Sequence, residues 1–218
     1  MNIAEAARAC GRDPAEIRLI AVSKTVDSQR IVNAYDCGQN LFGENRVQDA
    51  LEKIDLLKGK EIHWHLIGHL QKNKVKYIIG QFDLVHSIDS FSLAEMVHKK
   101  SQEQGVVTAV LIQVNISGEE TKNGLPPDQL LDTLVRVSQL SGVQVKGMMT
   151  IPPMQSDPEA SRKYFAELRQ LRDEMAKQAI ENIQLDELSM GMSNDYQVAV
   201  QEGATLVRVG TAIFGNRP

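Results

Sequence analysis

Cysteine is scarce in this chain. Cys10 and Cys37 are the only two among 218 residues, and neither lies in a C-x-x-C or in metal-ligand spacing. That excludes a disulfide framework and a cysteine-based metal centre, and it suits a reducing cytosol. Positive charge is not in excess either: 24 Lys and Arg stand against 28 Asp and Glu, for a net of -4. Such a balance argues against a nucleic-acid backbone as the main ligand. No long apolar run opens the chain, where Glu5, Arg8, Arg12 and Asp13 intervene, so neither a secretory signal nor a membrane span is expected. The length of 218 residues suits one undivided α/β domain over residues 1–218.

What is present is an alternation of strand-length apolar runs with longer stretches at helical spacing, separated by turn residues. Eight strands are predicted, at 19–23, 40–42, 63–67, 84–87, 109–115, 144–150, 184–189 and 206–209. Leu130, Leu134 and Val137 form one helical stripe, and Tyr164, Leu168, Leu171 and Met175 form another; each can cover one face of a sheet. Ser92-x-x-Glu95 reads as a capping box, and Gly38 and Gly142 read as helix stops. Strict strand-then-helix order implies parallel strands, and eight such units imply a TIM-type (β/α)8 barrel. Little chain remains for an eighth helix, so a helix over residues 3–10 is expected to cover part of that position.

In such a barrel the function sits at the C-terminal ends of the strands, often with a phosphate site after strands seven and eight. That rule nominates Lys24, then Glu44 with Asn45, then Gly68 with His69, and the segments 117–124, 150–157, 190–195 and 210–212.

Lys24 taken alone reads most plainly as a solvated strand-end lysine. Its setting says more: strand alternation puts it on the face of Ile20 and Val22, so a barrel-lining face would hold the amine at a partly desolvated mouth. Desolvation lowers a lysine from its usual pKa of about 10.4 and frees the neutral amine that attacks a carbonyl. The run SMGMSND, residues 189–195, leads into a helix carrying Val198 and Ala199. Ser193 suits the N-cap of that helix, and the same geometry can bind a phosphate dianion. Gly210 and Thr211 add a second donor cluster that an anion can approach closely. Arg208 shares the inward face of Leu206, where a guanidinium calls for a ligand or a carboxylate. A Schiff-base lysine beside a phosphate cradle is the hardware expected for pyridoxal phosphate.

The segments LIAVSK (19–24), FGENRVQ (42–48), WHLIGHLQKNK (64–74), VNISGEETKNG (114–124), SMGMS (189–193) and VRVGTAIFG (207–215) follow one another in fixed order. Together they closely resemble the pyridoxal phosphate homeostasis protein family, nearly end to end. The resemblance implies a single barrel like the N-terminal domain of bacterial alanine racemase, holding the cofactor as a Lys24 aldimine. It further implies Ser193, Gly210 and Thr211 around the phosphate, Arg208 facing the pyridine nitrogen, and Asn45 and Met149 lining the ring or its substituents.

A carboxylate at that nitrogen would make the ring a strong electron sink, whereas a cationic donor leaves it neutral, so weak carbanion chemistry is expected. The racemase also uses a second domain and a base from a partner subunit, for which one barrel leaves no room. The expected function is therefore to hold pyridoxal 5'-phosphate and make it available to apo-enzymes as a cytoplasmic monomer. Effects on vitamin B6 and amino-acid balance follow from the family, with no nucleic-acid or membrane partner. Two alternatives remain: a racemase-type enzyme using the same cofactor, and a metal-dependent barrel hydrolase in which His63 and His65 are two ligands. Lys122 is the rival attachment lysine. Asn115-Ile116-Ser117 reads as a chance sequon, and Lys72, Lys74 and Lys76 as a solvated helix face.

Overall fold

Eight parallel strands close on themselves in sequence order, as strict strand-then-helix alternation requires. The computed structural model describes residues 2–215; Met1 and residues 216–218 of the expected 1–218 domain lie outside them. The strands are β1 (Arg18–Val22), β2 (Leu41–Glu44), β3 (His63–Leu66), β4 (Leu84–Ile88), β5 (Thr108–Gln113), β6 (Val143–Met149), β7 (Ile183–Met192) and β8 (Leu206–Val209). β8 pairs with β1, with Ile20 opposite Arg208 and Ala21 opposite Val209. That closure brings Lys24 beside the Gly210 turn although the two are 186 positions apart in the sequence.

The helices are α1 (Ile3–Ala9), α2 (Ser28–Asp36), α3 (Val47–Leu56), α4 (Phe91–Glu103), α5 (Leu130–Val137), α6 (Arg162–Ala176), α7 (Tyr196–Gln201) and α8 (Thr211–Phe214). The crossover after β3 is a 3-10 turn, Lys72–Tyr77, carrying the three expected surface lysines. Among the described residues no helix is long and apolar enough to cross a membrane. The predicted stripes face inward: Leu130, Leu134, Val137 and Leu168 are buried, while Tyr164, Leu171 and Met175 pack against the same core. A second, smaller cluster of Ile20, Leu41, Leu84, Leu111, Met149 and Leu206 fills the barrel itself. Fully burying one such aliphatic side chain contributes about 1.5–3 kcal/mol.

Several local expectations are corrected. α4 starts earlier than Ser92, with the Ser90 hydroxyl accepting from the Leu93 N–H at 3.4 Å, so Ser92 and Glu95 lie inside the helix. Gly142 does not end α5, whose C-cap is Ser138. It instead permits close passage, since a Cβ there would sit 2.8 Å from the His98 carbonyl oxygen. β7 continues through Gly191 to Met192, past a shift in its pairing with β8 after Ser189, so half of the expected 190–195 loop is strand. Glu44 likewise closes β2 and is fully buried rather than facing the mouth. Helix α1 packs on the outside of the barrel near α7, and Arg12 just after it donates to the carbonyls of Val200 and Ala204 at 2.8 and 2.9 Å. The short α8 occupies the segment directly after β8.

Candidate functional site

A cavity of about 580 Å³ opens at the C-terminal mouth of the barrel. It gathers six of the seven nominated residues, Lys24, Asn45, Ser193, Arg208, Gly210 and Thr211, from four different strand ends or their turns. Met149 is not among its lining residues. Its side chain is fully buried in the interior cluster with Ile20 and Leu206, because alternation along β6 turns it into the barrel. The segment 117–124, including Lys122, does not line the cavity, and His69 turns to Asp89 at 3.4 Å.

The cavity is electropositive in an acidic protein. Lys24, Arg30 and Arg208 line it against one carboxylate, Asp195, whose Oδ1 accepts from the Met192 N–H at 2.7 Å. Asp195, not Ser193, occupies the N-cap position of α7, and its side chain makes no cap bond to the helix, which corrects the reading of Ser193 as an N-cap. The Ser193 hydroxyl instead accepts from the Gly210 N–H at 3.2 Å, joining the two donor turns. Gly68 shapes the opposite wall. A Cβ at Gly68 would lie 2.1 Å from the Asn45 carbonyl oxygen, so only glycine lets the end of β3 close against Asn45.

Arg208 sits at the base of the cavity and is 3% exposed. One terminal nitrogen donates to the Ser189 hydroxyl and the other to the Thr150 carbonyl at 2.9 Å, both neutral oxygens. Burial lowers the guanidinium to about 10, with the Asp195 charge opposing the shift, so it stays cationic at neutral pH. Ser189 meets His86 Nδ1 at 2.9 Å, and His86 Nε2 meets His65 Nδ1 at 2.9 Å. The arginine can only donate, so the Ser189 hydrogen is available to His86 Nδ1. With that assignment His86 carries its proton on Nε2 and His65 accepts at Nδ1. A polarised chain thus runs from Arg208 into the barrel.

Both histidines are held neutral by burial, His65 at about 3 and His86 well below its ordinary 6.5. Below pH 6.5 the unfolded chain takes up protons that the folded one refuses, so folding stability falls as pH drops through the window from 6.5 towards 3. The slope is about 1.4 kcal/mol per pH unit for each histidine. Urea unfolding at pH 7 and pH 5 measures it, and a midpoint that does not move between them would contradict this wiring.

The two histidines of the H-x-H pair have separate surroundings. His63 lies at the outer rim with Asp83 at 3.3 Å, while His65 spends its Nδ1 on His86. A cavity of about 650 Å³ at the strand starts, next to both, is lined by the pairs Arg18–Glu187 at 2.5 Å and His63–Asp83 at 3.3 Å, and by Lys146, which donates to Gln184 at 2.7 Å. Sequence reasoning missed Arg30, in the first turn of α2, which donates to the Phe214 carbonyl and lies 5.8 Å from the Phe214 ring. Extending the strand-end rule by one helical turn past Lys24 would have found it.

The model of the alanine racemase N-terminal domain matches residues 1–218. The pyridoxal phosphate homeostasis protein of Aquifex aeolicus (strain VF5) is 46% identical over 216 residues, covering 99% of this chain and 94% of its own. The chain belongs to the pyridoxal phosphate homeostasis protein family. Another family member, from Escherichia coli (strain K12), is 38% identical over 219 residues, covering 99% of this chain and 92% of its own. PipY of Synechococcus elongatus PCC7942, solved with PLP bound, is 40% identical with a TM-score of 0.86, over 98% of this chain and all of its own. Alanine racemase from Clostridium difficile 630, at 12% identity and a TM-score of 0.73, matches 99% of this chain with 56% of its own and shares the fold.

Proposed function

We propose that this protein holds pyridoxal 5'-phosphate at the barrel mouth through Lys24 and makes it available to apo-enzymes, without substantial turnover of its own. The observation that carries this reading is the convergence of Lys24, the Ser193 and Gly210 turns and a buried arginine on one cavity. The residues fit the group. Arg30 suits a phosphate dianion, and the Ser193 hydroxyl and the Gly210 N–H, now bonded to each other, are a donor pair an anion can claim. When bound, pyridoxal phosphate supplies an aldehyde that an amine captures reversibly. Lys24 would supply that amine, Asn45 would border the ring, and Arg208 would present N–H groups to the pyridine nitrogen. A permanent cation there disfavours protonating that nitrogen and so weakens the electron sink that racemases and transaminases exploit. The reading takes residues 1–218 as one cofactor-binding unit working as a cytoplasmic monomer; the relatives named homeostasis proteins support its cofactor-handling part.

Ser193→Ala removes one hydrogen bond to a charged phosphate, worth on the order of 1.5–3 kcal/mol, so affinity falls roughly ten- to hundredfold. Equilibrium dialysis against pyridoxal phosphate measures it, and unchanged affinity would remove Ser193 from the cradle. The function itself is tested by incubating the loaded protein with an apo-transaminase and, separately, with alanine in deuterated water. Restored transaminase activity with negligible α-proton exchange is expected. Rapid, sustained exchange would favour a racemase-type enzyme instead.

A further inference from the structure

We infer that Lys53 and Glu44 form a clamp on the turn carrying Lys24 and set the position from which its amine works. Residues 23–26 make a tight turn closed by the Val26 N–H on the Ser23 carbonyl at 3.0 Å, with Lys24 and Thr25 at its two central positions. Thr25 has φ +62. That is left-handed backbone, costly for a β-branched residue and free for glycine. Left alone, such a turn relaxes to another conformation and moves Lys24 with it.

Two bonds oppose that relaxation, and both act on Ser23. The Lys53 ammonium, reaching in from α3, donates to the Ser23 carbonyl at 2.7 Å and to Glu44 Oε1 at 2.7 Å. The Ser23 hydroxyl donates to the same Glu44 oxygen at 2.6 Å. Ser23 directly precedes Lys24, and Glu44 directly precedes Asn45, so one ion pair fixes the bases of two cavity residues. Stability alone does not explain this pair. Glu44 is fully buried and its Oε2 has no partner among the described residues, and buried pairs of this kind are often less stabilising than apolar substitutes. Placement accounts for the arrangement: the clamp holds the strained turn shut.

The inference rests on Lys24 being the attachment point. In that reaction the neutral amine bonds the carbonyl carbon, and the oxygen leaves as water with both amine hydrogens. Two probes separate position from binding: pyridoxal phosphate for covalent capture, and pyridoxine phosphate, an alcohol in place of the aldehyde, for non-covalent affinity. Lys53→Met with Glu44→Gln removes both charges together. It is expected to slow capture roughly ten- to hundredfold, because displacements of about 1 Å carry penalties of that size, while pyridoxine phosphate affinity stays within about twofold. Adding Thr25→Gly, which abolishes the strain, is expected to restore most of the rate. An unchanged capture rate, an equal loss of both probes, or no restoration by glycine would overturn the clamp. Should the double variant not fold, Lys53→Arg keeps the charge but not the reach, and capture at the native rate would overturn the proposal equally. If the unsubstituted protein captures the aldehyde at another lysine, the attachment reading fails first, and the clamp falls with it.

Discussion

Lys24→Ala is expected to abolish covalent capture of pyridoxal phosphate and to leave the barrel folded. Lys24 is half-buried at the mouth and belongs to neither apolar cluster, so its truncation opens no core cavity. The stability change is expected to stay within about 1 kcal/mol. The Ser193 and Gly210 turns and Arg30 remain, so the phosphate still binds, weakly and reversibly. Absorbance of the captured aldehyde disappears, dialysis strips the cofactor, and a thermal melt stays within a few degrees of the original. Covalent capture at the native level by Lys24→Ala would contradict the assignment.

Arg208→Glu is the second large effect, and it acts twice. Removing a buried guanidinium that donates to Ser189 and Thr150, and setting a carboxylate near Asp195, costs about 3–5 kcal/mol of stability. In the fraction that folds, a carboxylate beside the pyridine nitrogen favours its protonation and strengthens the electron sink. Exchange of the alanine α-proton is expected to rise at least about tenfold over the parent. Urea unfolding reads the first effect, and deuterium incorporation into alanine reads the second. A variant as stable as the parent and equally silent towards alanine would show that Arg208 controls neither.

The barrel was legible because its signal is local: alternating short apolar runs and helical stripes report burial directly, and six of seven nominated site residues meet at one mouth. Met149 does not line the cavity, for a geometric reason. Motif resemblance gives neighbourhood, whereas the depth of a strand residue inside the barrel depends on the stagger between strands, which no single segment encodes. Ser193 was misread because β7 runs on past a shift in register, which moves the N-cap of α7 to Asp195. The chain from Arg208 through Ser189 and His86 to His65 joins four different strands. Its members carry no mutual spacing in the sequence and become visible only when the barrel closes. The pairing of Glu44 with Lys53 was hidden for the same reason, since a buried glutamate reads from sequence as a loop carboxylate.

The central claim is that one lysine of this chain, Lys24, holds the cofactor. Borohydride reduction of the native, loaded protein followed by peptide mass mapping tests it directly. The account predicts a pyridoxyl label on the peptide containing Lys24, with Lys122 labelled at most in trace amounts because its loop does not line the cavity. A label mainly on Lys122, or spread evenly over surface lysines, would contradict it.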